Sequence, residues 1–423
     1  MKRLQYILLI FLSIAYLETS YAQENNQARK DIEKLCSKSF RGRGYTFDGD
    51  KKADAFISKS LKKMGLNVNH HGFTFSTNTF SGNMELSIGE KIIIAGEEFI
   101  VAPNSPSIKG TFPLKEYPVN IDIEELITLI KEGKRSQILL FDDALIKKES
   151  KEKQQKIRQL FRELQLEGRS ICKGIIIKNC NKLTYSASQT QSKLALIKTL
   201  RKDLYTQEKA TFNIEAEFIR QYRSQNVFTH IKGENTDSFY VFTAHYDHLG
   251  TMGKNVFFPG ANDNASGTAF LLDLARHYSV NKPKYSIYFI FFSGEEIGLL
   301  GSKAFVEDKV LNLDRLKFLL NFDLLGTGEE GIQIVNSSLY KKEYNVLDSI
   351  NGSNHYLTQI KKRGASCNSD HCPFHNEGAK SFFIYTLGGI KAYHDVYDIP
   401  KTLPLTEFND VQSLIKTFIK KNK

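Results

Sequence analysis

Four short, nearly unbroken apolar runs, Phe239–Ala244, Tyr285–Phe292, Phe318–Phe322 and Ser381–Thr386, most constrain what this chain can fold into. A strand that alternates apolar and polar residues can face water on one side, whereas a continuous one needs cover on both faces. Around these runs lie segments with apolar residues at helical spacing, near 265–278, 297–308, 340–352 and 406–421. The last sets Phe408, Val411, Leu414, Ile415, Phe418 and Ile419 on one face. Strands alternating with helices give an α/β chain whose sheet is covered by helices in three layers.

At 423 residues the chain exceeds one ordinary core and suggests two to three folding units. Residues 51–64 form a helix with Ala53, Phe56, Ile57, Leu61 and Met64 on one face, and Thr74–Phe80 reads as extended. Between about 90 and 215 the texture changes. Short strands (Lys91–Ala95, Gln137–Phe141, Gly174–Ile177) surround a charged helix near Lys147–Leu166, and no chemistry-bearing groups cluster there. The expected division is 1–22 export signal, 23–89 first part of a core, 90–215 inserted smaller α+β domain, and 216–423 the rest of the core.

The polar residues at the strand ends are more telling. His245 and Asp247 follow the first run, Glu295 and Glu296 the second, and Asp323 ends the third. Ligands of an open α/β sheet bind beyond the carboxyl ends of its strands, so these groups converge on one crevice. Imidazoles and carboxylates are the ligands zinc accepts at a site that keeps room for water, and two zincs about 3.5–4 Å apart need a bridging carboxylate. Asp263, in a tight loop between Gly260 and Gly267, and His394, in Tyr393-His394-Asp395, complete the candidate set.

The ordered set HYDHLG, GANDNASG, SGEEIGLLGS, NFDLLG and YHDVYD resembles the co-catalytic zinc aminopeptidases of the aminopeptidase Y and bacterial leucyl aminopeptidase type. The resemblance covers about 220 to the end. It implies a three-layer α/β/α zinc-exopeptidase core with a mixed central sheet and a cofactor of two Zn2+. His245 and Asp323 would hold one ion, Glu296 and His394 the other, and Asp263 would bridge them. Glu295 would be the general base, and Asp247 would orient His245. The Asp370-His371 loop would face substrate, a peptide or protein. Adjacent glutamates suit this division, since in a turn one carboxylate can ligate while its neighbour moves protons. The 90–215 segment is loosely similar to the protease-associated insert of some members.

Plainer readings compete. His245 and Asp247 can end a strand and cap a turn, Asp263 can be a helix-start acid, and Glu295-Glu296 can be solvated charges. His371 competes with His394 for the metal, and His248 and His375 are further imidazoles. His70, His71, His230, His277 and His355 read as surface or packing residues. A glutaminyl cyclase on the same fold would use one zinc and not need the His245–Asp247 pair. A receptor-like binding protein would normally have lost ligands, and none is missing. No Gly-x-Ser-x-Gly elbow supports a serine hydrolase.

Lys2 and Arg3 before the apolar run Tyr6–Leu17, then Ser20-Tyr21-Ala22, read as an export signal, placing the mature chain outside the cytoplasm without stable membrane insertion. The net charge of +11 comes from scattered basic pairs, unlike the gathered patch of a nucleic-acid binder. Five cysteines cannot all pair, and Cys172–Cys180 and Cys367–Cys372 are the local options.

Overall fold

A computed structural model describes residues 27–168, 171–206 and 208–421; the expected signal at 1–22 lies outside them. Among the described residues no helix is long and apolar enough to cross a membrane.

The four apolar runs become the central strands of an eight-stranded mixed sheet. In spatial order its strands are Asn69–Thr79, Glu217–Ile231, Tyr285–Phe292, Asn235–His245, Leu316–Phe322, Ser381–Thr386, Ile332–Val335 and Ile360–Lys362. Tyr285–Phe292, Asn235–His245, Leu316–Phe322 and Ser381–Thr386 run parallel, and antiparallel strands flank them on both sides. Alternate residues of the central strands serve opposite faces. Tyr240, Phe242, Phe289 and Phe291 pack with Ile57, Phe270, Leu347, Phe408 and Phe418 of the helices Gly49–Lys63, Gly267–Val280, Lys341–Asn354 and Phe408–Lys421. Phe239, Val241, Ile290 and Phe292 meet Phe305 and Phe374 of Leu300–Glu307 and His371–Asn376 on the other side. The three-layer α/β expectation is met.

A second eight-stranded sheet is built from residues 84–214, with Ile123–Glu132 and Lys151–Glu167 among its helices. Its strands begin at Met84, somewhat ahead of 90, because Met84–Ile88 pairs with Lys209–Ile214. One face of the sheet, with Leu140, Ile176 and Phe212, packs in a core shared with Phe80, Leu249, Met252 and Phe258, and the other has a core holding Leu139, Phe141 and Leu160. The whole segment leaves and rejoins the first sheet at the tip of an antiparallel pair, where Thr79 is in register with Glu217. At that junction Glu215 N–H donates to the Asn83 carbonyl at 3.0 Å, and Asn83 N–H to Glu215 Oε2 at 2.8 Å.

Candidate metal centre

Each parallel strand delivers polar groups at its carboxyl end. His245 closes the strand Asn235–His245, and its Nδ1 lies 3.2 Å from the Asp247 carbonyl. In the neutral ring a proton donated there would leave Nε2 free to ligate, and Nε2 lies 3.4 Å from Asp323 Oδ2 and 3.6 Å from Asp263 Oδ1. The other side of Asp263 faces His394, whose Nε2 is 3.0 Å from Asp263 Oδ2 and 3.2 Å from Glu296 Oε2. Two ligands at about 2.05 Å from one tetrahedral cation stand about 3.3 Å apart, so these separations are compatible with donors sharing an ion. The two oxygens of Asp263 face two such groups. Donor atoms of His245, Asp263 and Asp323 cluster within 4.8 Å of one another, as do those of His248, Asp263 and Glu296.

The Asp263 loop is held mainly through its backbone. Gly260 has φ +58°, and a side chain there would strike the Asp263 carbonyl at 2.1 Å and the His248 ring at 2.4 Å. Asp398 accepts from Asn262 N–H at 2.9 Å and Asp263 N–H at 3.0 Å. Arg43, fully buried, donates to the carbonyls of Tyr246 (2.9 Å), Pro259 (2.6 Å), Gly260 (2.8 Å) and Asp263 (3.2 Å).

Asp247 is fully buried, 3.8 Å from His245 Nδ1 through its carboxylate. It also accepts from Tyr45 O–H at 2.6 Å and from the backbone N–H groups of Glu295 and Glu296, each at 3.3 Å. One carboxylate therefore ties the His245 strand end to the turn that carries both glutamates. Within that turn the two side chains meet different fields. Burial raises the Glu295 carboxyl well above its ordinary range, and Asp370, Glu296 and Asp323 add to the rise while His245 opposes it. Burial also opposes ionisation of Glu296, but His248, whose Nδ1 is 2.6 Å away, and His394 hold it well below the usual range. Environments that push two neighbouring carboxyls apart are how a site separates a proton carrier from a permanent anion.

The concentration of acid groups also pulls on the imidazoles. Although burial disfavours its charge, His394 is raised to about 11 by Glu296 and Asp263, and His245 is raised well above normal by Glu295 and Asp323. Buried charges of one sign are tolerated when paired or when they coordinate metal, and this crevice gathers more carboxylates than imidazoles. The donor set, its spacing and its excess negative charge fit divalent zinc.

Asp370 adjoins the same crevice. Burial raises its carboxyl to about 7 against the pull of His245 and Ser302. His371 is buried with its ring stacked 5.5 Å from Phe383 and Nε2 2.8 Å from the Ser366 carbonyl, and burial lowers it to about 4. It supports the loop from within the core. Cys367 and Cys372 are joined in a disulfide across this loop, while Cys36, Cys172 and Cys180 are free.

Sequence reading passed over Arg43, Tyr45 and Asp398, and named His248 only as a further imidazole. Only His248, inside HYDHLG, and Asp398, ending YHDVYD, carried a local signal.

A mixed α/β sheet that presents imidazoles and carboxylates at cation-ligand spacing beyond its parallel strands defines a metal-site protein of the open-sheet class. Residues 226–419 match the model of Peptidase family M28. Aminopeptidase YwaD of Bacillus subtilis is 34% identical over 196 residues, 42% of this chain and 38% of that protein. A probable zinc metalloprotease of Pyricularia oryzae is 39% identical over 112 residues, 25% of this chain and 22% of its own length. The chain thus spans less than half the length of these relatives. Among solved structures, BSAP, a zinc aminopeptidase from Bacillus subtilis, superposes with TM-score 0.69 at 22% identity, covering 94% of this chain and 95% of that one. A Peptidase M28 precursor from Shewanella amazonensis gives 0.68 at 14% identity, covering 96% and 95%. The fold is therefore shared along nearly the whole described chain.

Proposed function

We propose that this protein is an exported aminopeptidase that removes N-terminal residues from peptides at a site holding two zinc ions. The observation that carries the reading is Asp263, whose two carboxylate oxygens face His245 on one side and His394 on the other, with Asp323 and Glu296 completing the two groups. The names of YwaD and BSAP point to the same activity.

Zinc held by these five residues would supply Lewis acidity for the scissile carbonyl and an acidified water. Glu295, with its raised carboxyl, takes the proton from the attacking water and passes it to the leaving amine. Asp247 keeps the Glu295-Glu296 turn in register with His245 through its two backbone hydrogen bonds. The acid-rich field of Asp370 and its neighbours favours a substrate with a free, positively charged α-amino group.

The test is a panel of aminoacyl and N-acetylated aminoacyl anilides with metal analysis on the same preparation. Close to two zinc equivalents, loss of activity on chelation, return with zinc, and cleavage restricted to free amines are expected. Full activity in metal-free protein, cyclisation of Gln-initiated peptides without hydrolysis, or equal turnover of blocked substrates would refute the reading. Export is motivated by the segment from Lys2 to Ala22 and predicts a mature terminus near Gln23. Recovery of extracytoplasmic protein still beginning at Met1 would remove that part.

A further inference from the structure

We infer that residues 182–189, an extended strap of the second-sheet segment, position His394 and so set how tightly the second metal position is held. The inference rests on the reading of His394 as a ligand. His394 lies in irregular chain after the strand Ser381–Thr386 and has φ +54°, a left-handed conformation uncommon for a residue with a side chain. Something outside the loop must hold it there.

The strap supplies that hold. Tyr185 N–H donates to the His394 carbonyl at 2.9 Å, and His394 Nδ1 lies 3.1 Å from the Tyr185 carbonyl. In the neutral, ligating ring, donation from Nδ1 would leave Nε2 as the lone-pair nitrogen, the one facing Asp263 and Glu296. Lys182 Nζ donates to the Lys391 carbonyl at 3.0 Å and pairs with Asp395 at 3.1 Å, bracketing His394 on both sides. Two further ties reach the other loops of the centre. The Tyr185 ring stacks on Phe258, centroids 4.5 Å apart and planes within 6°, just ahead of the Gly260 turn. Gln189 Nε2 donates to the Ile297 carbonyl at 2.8 Å, next to Glu296.

The local sequence explains the shape. Leu183 and Tyr185 are buried while Lys182, Thr184 and Ser186 are exposed, the period of two that lets an extended ribbon anchor one face. A segment without chemistry-bearing clusters of its own therefore touches three loops that carry proposed ligands. Partners that orient a metal-bound histidine are typically worth about 10–100-fold in metal affinity.

The experiment uses the full chain. Zinc affinity is read by competition with a chromophoric chelator, and kcat and KM are measured at low and saturating zinc. Tyr185→Pro removes the ring and the N–H that donates to the His394 carbonyl, and Tyr185→Ala removes the ring alone. The double variant Lys182→Ala/Gln189→Ala changes exposed side chains and leaves the core intact. Tyr185→Pro should weaken one of two zinc ions about 10–100-fold while the other is unchanged. Its kcat should return at saturating zinc with KM near wild type. The double variant should weaken the same ion several-fold, and Lys182→Arg in place of Lys182→Ala should restore part of that loss. Wild-type affinity for both ions in all variants, or equal weakening of both, would overturn the inference. If Tyr185→Pro fails to fold, the double variant decides. A wild-type chain that never takes a second zinc overturns the two-zinc reading as well; two zincs unmoved by the variants overturn the strap alone.

Discussion

Replacing Arg43 with methionine removes a charged fork of roughly the same length and leaves its acceptors behind. The guanidinium is fully buried and donates to four backbone carbonyls, with Leu35 at 3.3 Å as a fifth. The Gly260 carbonyl keeps a donor, because Ala265 N–H also reaches it at 3.1 Å. The carbonyls of Leu35, Tyr246, Pro259 and Asp263 lose the one Arg43 supplies. At about 1–3 kcal/mol for each buried polar group left unmade, and with some relief by entering water, the cost is about 4 kcal/mol. At about 2–4 °C per kcal/mol for domains of this size class, Tm should fall by about 10 °C. The lost bonds release the loop that carries Asp263, so zinc retention should fall in parallel. Arg43→Lys, a compact ammonium that cannot span all these carbonyls, should fall about halfway. Thermal unfolding by fluorimetry in zinc-saturated and metal-free buffer, with zinc counted on the same samples, is the assay. A drop under about 2 °C for Arg43→Met, with full zinc content, would show that the loop stands without its buried fork.

The adjacent glutamates should separate in their effects: Glu295→Gln should keep both zinc ions and lose at least about 10²–10⁴-fold in kcat, with KM changing far less. Glu296→Gln should lose or loosen one ion, since a neutral amide is a poor zinc ligand, and the reverse pattern would exchange the two assignments. For pH, burial raises Asp50 from 3.8 to about 6 against hydrogen bonds from Tyr222 and Ser224. The folded state then binds this proton more tightly than the unfolded chain, so ionised Asp50 costs stability that is absent below 3.8 and grows through 6. Asp50→Asn should therefore gain on wild type by about 2–3 kcal/mol between pH 4 and pH 7; a Tm difference flat across that range would contradict it.

How much of this was legible differs by the kind of contact. The four parallel strands announced themselves because cover on both faces demands unbroken apolar sequence, and His245, Glu295, Glu296 and Asp323 stood out at their ends. Glu217–Ile231 was harder to read, since Arg220, Gln221 and Arg223 lie on its exposed stretch, and Ile360–Lys362 is too short to show a period. Arg43 and Tyr185 left no trace, because Arg43 is read by backbone carbonyls and Tyr185 acts through its own backbone N–H and carbonyl, about two hundred residues from their partners, and every residue type but proline carries such groups alike. His371 looked like a site imidazole from its neighbours, and only packing places its ring on Phe383.

The junction at Thr79 and Glu217 bears on the order in which the chain assembles. If the residues between them were a flexible loop of about 130, closing it would cost about 4 kcal/mol more than a two-residue turn. Folded, the 84–214 segment brings its own ends together, through the hydrogen bonds between Asn83 and Glu215. It then behaves as a very large turn, and the long strands on either side can pair as cheaply as a hairpin. The 84–214 segment emerges from synthesis ahead of the four parallel strands, so it can fold first and template the edge on which they stack.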